Sequence, residues 1–267
     1  MKRLAGGTFF VLASVVAGCS GRGETGPDYL YPTEDDFCRA VGEAECNEAV
    51  VKACYGSDDS TLAEDQVSCR TARSAGCNPL GLPFHPEAAE SCIVARQEAL
   101  ADGVWSKLEI ATVETACLPV LSKQGQDGAA CTADHDCDSA AGMRCVIKFG
   151  SSAGVCGEPL LVVGGEDCAD PLAVCGDDFY CDPQVSHCLK RPGADQPCSA
   201  AAPCAADYYC TNSETGTCAP KTKNGLACER DELCLGGFCV GATADTTGVC
   251  SATLPLQLTS ESCDPYR

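Results

Sequence analysis

The stretch GAACTADHDCDSAAGMRC, from Gly128 to Cys145, combines three cysteines with an acidic cluster that could bind a metal ion, exchange disulfides or form structural bridges. Zinc sites usually combine closely spaced cysteine pairs with histidine or further cysteines, and thioredoxin-type redox sites use Cys-x-x-Cys. No Cys-x-x-Cys occurs anywhere in the chain. The cysteines are therefore predicted to form structural disulfides, and no cofactor is expected.

The carboxylates of this stretch leave one alternative open. Asp134, Asp136 and Asp138 alternate as at the start of an EF-hand loop, but the loop would then need glycine and glutamate where the chain has Ser139 and Cys145. An EF-hand is excluded. A looser calcium site stays an alternative, because carboxylates on a turn are ligands for hard cations. A similar, weaker cluster is formed by Asp177, Asp178 and Asp182.

Candidate groups for catalysis are few. The histidines are His85, which precedes a proline at a predicted helix start, and His135 and His187, which lie inside small repeats. Gly-x-Ser-x-Gly, His-Glu-x-x-His and phosphate-binding loops are all missing from the sequence. No catalytic residue is predicted, and the protein is not expected to be an enzyme.

Composition indicates where such a chain resides. It has 25 cysteines in 267 residues, which is typical of a disulfide scaffold in an oxidising compartment. Its formal charge at pH 7 is −20, with the acidic residues dispersed as on a solvated surface. Binding to nucleic-acid phosphates requires clustered lysine and arginine, so nucleic acid is excluded as a partner.

The N-terminus has the features of a secretion signal. A basic start precedes an apolar run over 4–17, which is shorter than the about 20 residues that span a bilayer. The run ends in Val16-Ala17-Gly18-Cys19, which resembles the lipobox of bacterial lipoproteins. The resemblance implies that the signal, 1–18, is removed and that lipid on Cys19 anchors the protein to a membrane. Ser20 favours the outer membrane of a bacterial cell envelope, with the protein facing the periplasm or the surface.

Three regions follow the signal. Residues 19–33 are rich in glycine and proline, as in a flexible tether. Residues 34–121 contain many helix formers, whereas 122–267 are rich in Gly, Pro, Asp and Ser and lack helical periodicity. The predicted fold class is therefore small and disulfide-rich: a disulfide-stapled α-helical domain, then four cysteine-rich repeats with short β-hairpins and a C-terminal tail.

Four helices are predicted in the first domain, with Trp105 in its core. The second helix begins at a capping box of Thr61 and Glu64, and the third has Pro86 in its first turn. The expected ranges are Glu34–Cys54, Thr61–Gly76, Pro86–Gly103 and Leu108–Leu118.

Cysteine spacing connects the first two helices. Cys38 and Cys46 are eight positions apart, as are Cys69 and Cys77. Folding the helices into an antiparallel hairpin places these residues opposite one another, which predicts the bridges Cys38–Cys77 and Cys46–Cys69. The pairing of the remaining set, Cys54, Cys92, Cys117 and Cys263, stays open.

The second region contains four quartets of cysteines, which indicate an internal repeat. We number the repeats 1 to 4 over 128–156, 165–188, 195–218 and 225–250. Three of them open with Gly-x-x-Cys at Gly128, Gly165 and Gly225, where repeat 3 has Asp195. An aromatic residue precedes the third cysteine at Tyr180, Tyr209 and Phe238. Packing of these rings on the neighbouring disulfide is favoured over a row of exposed aromatic residues at an interface.

Loop size predicts how each quartet pairs. Joining neighbouring cysteines closes a short ring, whereas first-to-third and second-to-fourth pairing makes two overlapping loops, each stabilising by about 3 kcal/mol in the chain-entropy model. A repeat of this size has almost no apolar core, so these bridges must hold it. The predicted pairs are Cys131–Cys145, Cys137–Cys156, Cys168–Cys181, Cys175–Cys188, Cys198–Cys210, Cys204–Cys218, Cys228–Cys239 and Cys234–Cys250.

The pattern Cys-x₅-Cys-x₅-Cys-x₇-Cys with an aromatic residue before the third cysteine, clearest over 198–218, resembles the cysteine-rich N-terminal domain of Dickkopf proteins. It resembles EGF-like and colipase-like modules more loosely, and these imply the same crossed pairing. Over nearly the whole chain, the architecture resembles bacterial surface lipoproteins that join a helical half to such repeats. The resemblance implies an extracellular setting rather than a particular activity.

These features predict a non-enzymatic, lipid-anchored envelope protein that acts as a binding, adhesion or structural module. The expected partners are the membrane, through the lipid, and a protein or glycan. An inhibitor-like or accessory partner of an envelope enzyme or receptor is the alternative.

Overall fold

The structure is a computed structural model that describes residues 27–258 and 260–267. Helices in the first half are followed by short strands in small sheets, and twelve disulfides join the described cysteines, so the predicted fold class is confirmed. The α-helices are α1 Glu34–Glu45, α2 Glu48–Tyr55, α3 Leu62–Ala75, α4 Ala89–Ala99 and α5 Lys107–Cys117. The 3₁₀ helices are Pro86–Ala88, Asp134–Asp136, Ser139–Ala141, Asp231–Leu233 and Glu261–Tyr266.

The strands are short and belong to six sheets. They are β1 Val104–Ser106, β2 Ala130–Cys131, β3 Arg144–Val146, β4 Gly154–Gly157, β5 Leu160–Val162, β6 Ala173–Cys175, β7 Phe179–Asp182, β8 His187–Lys190, β9 Pro197–Cys198, β10 Tyr208–Cys210, β11 Gly216–Pro220, β12 Ala227–Cys228, β13 Phe238–Val240, β14 Gly248–Ser251 and β15 Thr253–Pro255. Repeats 1, 3 and 4 each form a three-stranded antiparallel sheet in which the strand of the fourth cysteine is central. Repeat 2 keeps the β7–β8 hairpin, and its strand β6 pairs in parallel with β5, which precedes the repeat.

The first predicted helix is two helices, because the chain breaks at Cys46 and Asn47. The Asn47 side chain caps α2 by accepting a hydrogen bond from the Val50 N–H, and it donates another to the Leu100 carbonyl at 2.7 Å. Asparagine competes with backbone hydrogen bonding and therefore favours caps over helix interiors. The prediction of one continuous helix over Glu34–Cys54 was wrong.

The capping box expected at Thr61 does not form. The Asp58 carboxylate already accepts from the N–H groups of Ser60 and Thr61, and Thr61 itself is helical with no capping bond from its side chain. A capping box forms instead at Ser106 and Glu109, where α5 begins.

The end of the chain packs against the helical half, although its sequence placed it with the repeats. β15 pairs antiparallel with β1, and Cys263 is bonded to Cys54 in α2. Leu256 and Tyr266 are buried in the same apolar cluster as Val50 and Leu100 of the helical half, and Trp105 packs on it as a core residue. The segment that contains the four repeats is thus attached to the helical half at both of its ends.

One buried charge lies at the centre of the helical half. Glu45 is 1% exposed, and its carboxylate accepts hydrogen bonds from the guanidinium groups of Arg73 and Arg96. Arg73 also lies over the ring of Tyr266, 5.4 Å from its centroid. Burial, with Glu45 nearby, raises the pKa of Tyr266 to about 12. The C-terminal segment therefore contacts the ionic centre as well as the apolar core.

Candidate functional site

All ten disulfides predicted from the sequence are present, and the cysteines left open pair as Cys54–Cys263 and Cys92–Cys117. Their Cα–Cα separations run from 4.5 Å in Cys92–Cys117 to 5.9 Å in Cys168–Cys181, within the usual range for disulfides. Cys19 and the signal lie outside the described residues. No helix in the described part of the chain is long and apolar enough to cross a membrane.

The third and fourth cysteines of every repeat are direct cross-strand neighbours, yet they are not bonded to each other. Cys145 lies opposite Cys156 in repeat 1, and the register is the same in the other three repeats. Each of these neighbours is bonded to one of the first two cysteines instead. The two bridges therefore sit side by side on one face of the hairpin and form the small core of the repeat.

A backbone hydrogen bond closes each repeat at its first residue. The N–H groups of Gly128, Gly165, Asp195 and Gly225 each donate to the carbonyl oxygen of the fourth cysteine at 2.8 Å. The φ values of these residues are 78°, 88°, 60° and 85°, in the left-handed region that glycine adopts without strain. The Gly-x-x-Cys pattern thus reflects a requirement for a left-handed backbone conformation. Asp195 adopts the same conformation although it carries a side chain.

Repeats 1 and 4 share an aspartate that accepts a backbone hydrogen bond, a role that was not predicted for Asp134 or Asp231. Asp134 and Asp231 each begin a 3₁₀ helix, and each accepts a hydrogen bond from the N–H of its repeat's third cysteine, at 2.7 Å and 2.6 Å. A Cys-x-x-Asp spacing in both repeats was the available signal.

The acidic cluster of repeat 1 is used for local structure. Asp136 accepts from the Lys123 ammonium at 2.8 Å and from the backbone N–H of Thr132 at 2.9 Å. The bond from Lys123, followed by the Thr132 bonds, holds the pKa of Asp136 well below its usual range. The carboxylates of Asp134 and Asp138 accept from other backbone N–H groups.

Within the described residues, the groups of three potential ligands close enough for one metal ion are all cysteine triplets, one in each repeat. Their sulfurs are bonded in disulfides, whereas metal binding requires free thiolates. The sets of aspartates considered for calcium, in repeats 1 and 2, are not brought together as ligand clusters.

The histidines lie in three separate places. His85 Nε2 is 3.1 Å from the Ser122 carbonyl oxygen beside the first 3₁₀ helix. His135 Nε2 is 3.9 Å from Asp136, and His187 Nδ1 contacts the Val185 carbonyl at 2.7 Å. None of the three lines any of the four best-formed cavities of the described residues.

The side chains that pack on the disulfides are one position earlier than expected. Phe179 and Tyr208, two residues before the third cysteine, contact the cysteine clusters of repeats 2 and 3, as Met143 does in repeat 1. Successive side chains of a strand point to opposite faces. Tyr180, Tyr209 and Phe238 therefore face away from the bridges, and the favoured packing of these three aromatic residues on the disulfides was wrong.

Phe238 and Tyr209 contact other parts of the chain. Phe238 is buried, with the Lys107 ammonium 4.3 Å from its ring centroid, where repeat 4 meets α5. Tyr209 is half-buried and lines an open groove between repeats 3 and 4.

We call this cavity of about 720 Å³ the 3–4 groove. The segment 219–224, which we call the link, joins repeats 3 and 4 and contributes Lys221 to the groove. Repeat 4 contributes Arg230 and Glu232. The residues from repeat 3 include Ser199, Tyr208, Tyr209, Thr211, Asn212 and Ser213.

Backbone hydrogen bonds fix the two walls of the groove relative to each other. The link donates from Lys221 to the Asp207 carbonyl at 2.9 Å in repeat 3, and from Thr222 to the Leu233 carbonyl at 2.6 Å in repeat 4. Leu235 donates back to the Thr222 carbonyl at 2.9 Å. A disulfide core stands behind each wall, so the groove is preformed.

No family model, curated protein or solved structure matches this chain.

Proposed function

We propose that the protein is a lipid-anchored envelope protein without enzymatic activity, held by Cys19, that binds a partner through its repeats. The 3–4 groove is the binding surface. The tether keeps the disulfide-bonded domains away from the membrane surface. The attachment of the repeats to the helical half at both ends holds the groove in a fixed orientation to that half.

The observation that carries this proposal is the set of polar groups in the groove that have no protein partner. Among the described residues, the Lys221 ammonium makes no hydrogen bond or ion pair, and the Tyr209 hydroxyl makes no hydrogen bond. Binding sites combine preformed concave shape with a few convergent polar groups, and tyrosine and arginine are enriched where binding energy is concentrated. Both features occur together in this groove.

A second candidate, an inhibitor-like or accessory partner of an envelope enzyme or receptor, is favoured by the exposed apolar pair Leu161 and Val174. These residues are cross-strand neighbours in β5 and β6, and they are 71% and 37% exposed. Exposed apolar edge strands pair with strands of other chains. Leu161→Asp should abolish partner binding in this case and leave binding at the groove unchanged.

The anchor is tested with Cys19→Ala. The wild-type N-terminal peptide should carry acyl mass and the protein should sediment with envelopes, whereas the variant should lose the acyl mass. A wild-type protein without acyl mass at Cys19 would overturn the anchoring proposal.

Binding at the groove is tested with a photo-reactive amino acid at Ser213, expressed in the anchored full-length protein. The control position is Gln184, which is also the third residue after the third cysteine, but in repeat 2 and outside the groove. Adducts should form in cells at position 213 and not at 184. Equal adduct formation at both positions, or none at 213, would contradict the groove as the binding surface.

A further inference from the structure

We propose that the 3–4 groove binds an acidic saccharide, a sugar chain that carries carboxylates. This inference rests on the proposed binding role of the groove and names the chemical class of its ligand. Its evidence is the charge, the hydrogen-bonding groups and the shape of the lining residues.

The charge of the lining differs from that of the whole chain. The protein carries −20, yet the lining has two cations, Lys221 and Arg230, and one acid, Glu232. Arg230 and Glu232 are 3.9 Å apart and both side chains are mostly exposed, so their pairing is weak. Charges farther away than about 8 Å are largely screened at physiological ionic strength. The side chains that line the groove carry two positive charges and one negative charge, a net +1 that is opposite in sign to the charge of the whole chain.

The unpaired hydrogen-bonding groups are mostly donors. Asn212 uses its carbonyl oxygen to accept from the Glu214 N–H at 2.8 Å, which leaves its amide N–H₂ without a protein partner among the described residues. The Thr211 hydroxyl oxygen accepts from the Thr217 N–H at 3.0 Å, which leaves its proton available. Together with Lys221, Arg230 and the tyrosine hydroxyls, these groups match a ligand rich in acceptor oxygens.

The remaining lining favours a sugar over a peptide. Six of the ten uncharged lining residues carry a hydroxyl or amide group, and the other four are Ala200, Pro203 and the disulfide-bonded Cys204 and Cys210. Peptides bind through apolar pockets, by pairing with a sheet edge or, when they are acidic, through arginine clusters, and the aliphatic surface for the first of these modes is small here. A half-buried tyrosine ring offers an apolar face with a polar tip, which suits the C–H face of a pyranose ring. The carboxylate would lie toward Lys221 and Arg230, with the ring near Tyr209.

The test is isothermal titration calorimetry of the full-length protein with a galacturonic acid trisaccharide, using galactotriose as the neutral probe. Lys221→Gln/Arg230→Gln should weaken binding of the acidic trisaccharide at least tenfold. Glu232→Gln should strengthen it severalfold, because an acid is removed and Arg230 is released. Galactotriose should bind at least tenfold more weakly than the acidic sugar.

Matched controls separate local from general charge effects. Lys223→Gln and Glu229→Gln change the same charges at exposed positions that do not line the groove, and each should leave affinity within twofold. Absence of acidic-trisaccharide binding to the wild-type protein, equal binding of both sugars, or unchanged affinity in the groove variants would overturn the proposal. Because Glu232→Gln predicts a gain, misfolding cannot mimic the full pattern.

Failure of this inference is distinguishable from failure of the proposed function. If position 213 forms adducts in cells while neither trisaccharide binds, the acidic-saccharide class is wrong and the binding role of the groove stands. If position 213 forms no adducts and neither sugar binds, both proposals fall.

Discussion

Asp195 donates its backbone N–H to the carbonyl oxygen of Cys218 with a φ of 60°, the left-handed geometry that glycine supplies in the other three repeats. Each of the four repeats is thus closed by an equivalent hydrogen bond, and its first residue must be one that tolerates the left-handed backbone conformation. Aspartate is among the few residues other than glycine that visit this region readily.

Gly225→Ala should therefore lower the free energy of local unfolding of repeat 4 by about 1–2 kcal/mol, the usual cost of a left-handed conformation in a residue with a Cβ. The added Cβ would meet no atom within 4 Å, so backbone strain alone is measured. Hydrogen exchange of the Gly225 and Cys250 amides should accelerate by about tenfold or more. Gly176→Ala is the control, because that site is equally open and its φ is not left-handed. Equal effects at both sites would refute the role of φ.

If the backbone is cut just before repeat 4, the Cys54–Cys263 bridge should be the only covalent link that still joins repeat 4 to the preceding part of the described chain. A specific protease site placed after Lys223 tests this. On a denaturing, non-reducing gel the cut protein should stay in one band, and Cys54→Ser/Cys263→Ser should release a fragment. Cys92→Ser/Cys117→Ser also removes one bridge and should release none. A fragment from the cut wild-type protein would rule out the pairing.

The buried carboxylate of Glu45 should be essential for stability. Glu45→Ala leaves the guanidinium groups of Arg73 and Arg96 without their anion, and breaking a buried pair costs about 3–5 kcal/mol. Denaturant unfolding followed by the fluorescence of Trp105, which packs on the adjacent core, measures the change. Glu48→Ala removes only an exposed partner of Lys52 and should cost less than about 1 kcal/mol. Similar losses in both variants would contradict the role of burial.

Repeat 1 should lose stability in acid through Asp136. Its pKa is lowered in the folded protein, first by the bond from Lys123, so its contribution is present above the unfolded value of about 4 and is lost as the pH falls through the folded value. Exchange of the Thr132 and Ala133 amides, corrected for intrinsic rates, should accelerate over that range.

Asp136→Asn should remove this pH dependence. Asp245→Asn should leave it intact, because the Asp245 carboxylate accepts no hydrogen bond from any described residue. An unchanged pH profile in Asp136→Asn would show that another group titrates.

Sequence-based prediction was weakest where a side chain chooses between local and distant partners. Asn47 interrupts the first helix because its side chain reaches Leu100, fifty-three positions away, while also capping α2. Thr61 and Glu64 have the spacing of a capping box, but Asp58 satisfies the backbone first. Tyr209 and Phe238 were assigned to the wrong face of their strands, because the face depends on strand register rather than on proximity to a cysteine.

The sequence by itself determined the repeats, their internal disulfides and the helical hairpin of the first half. These bridges close loops of 11 to 39 positions, and over such short stretches cysteine spacing and loop entropy restrict the pairing strongly. The sequence also predicted an oxidised, acidic scaffold, because cysteine count and charge are properties of composition.

Only the tertiary structure decided how the two halves join and where a ligand could bind. Cys54 and Cys263 are separated by 209 positions, and the sequence was compatible with all three pairings of the four open cysteines. The pairing of β15 with β1 brings Cys263 to the helical half and decides among them. The 3–4 groove depends on the angle between two repeats, which backbone bonds of Lys221 and Thr222 fix. Backbone hydrogen bonds of this kind are available to almost any residue, so they leave no pattern in the sequence.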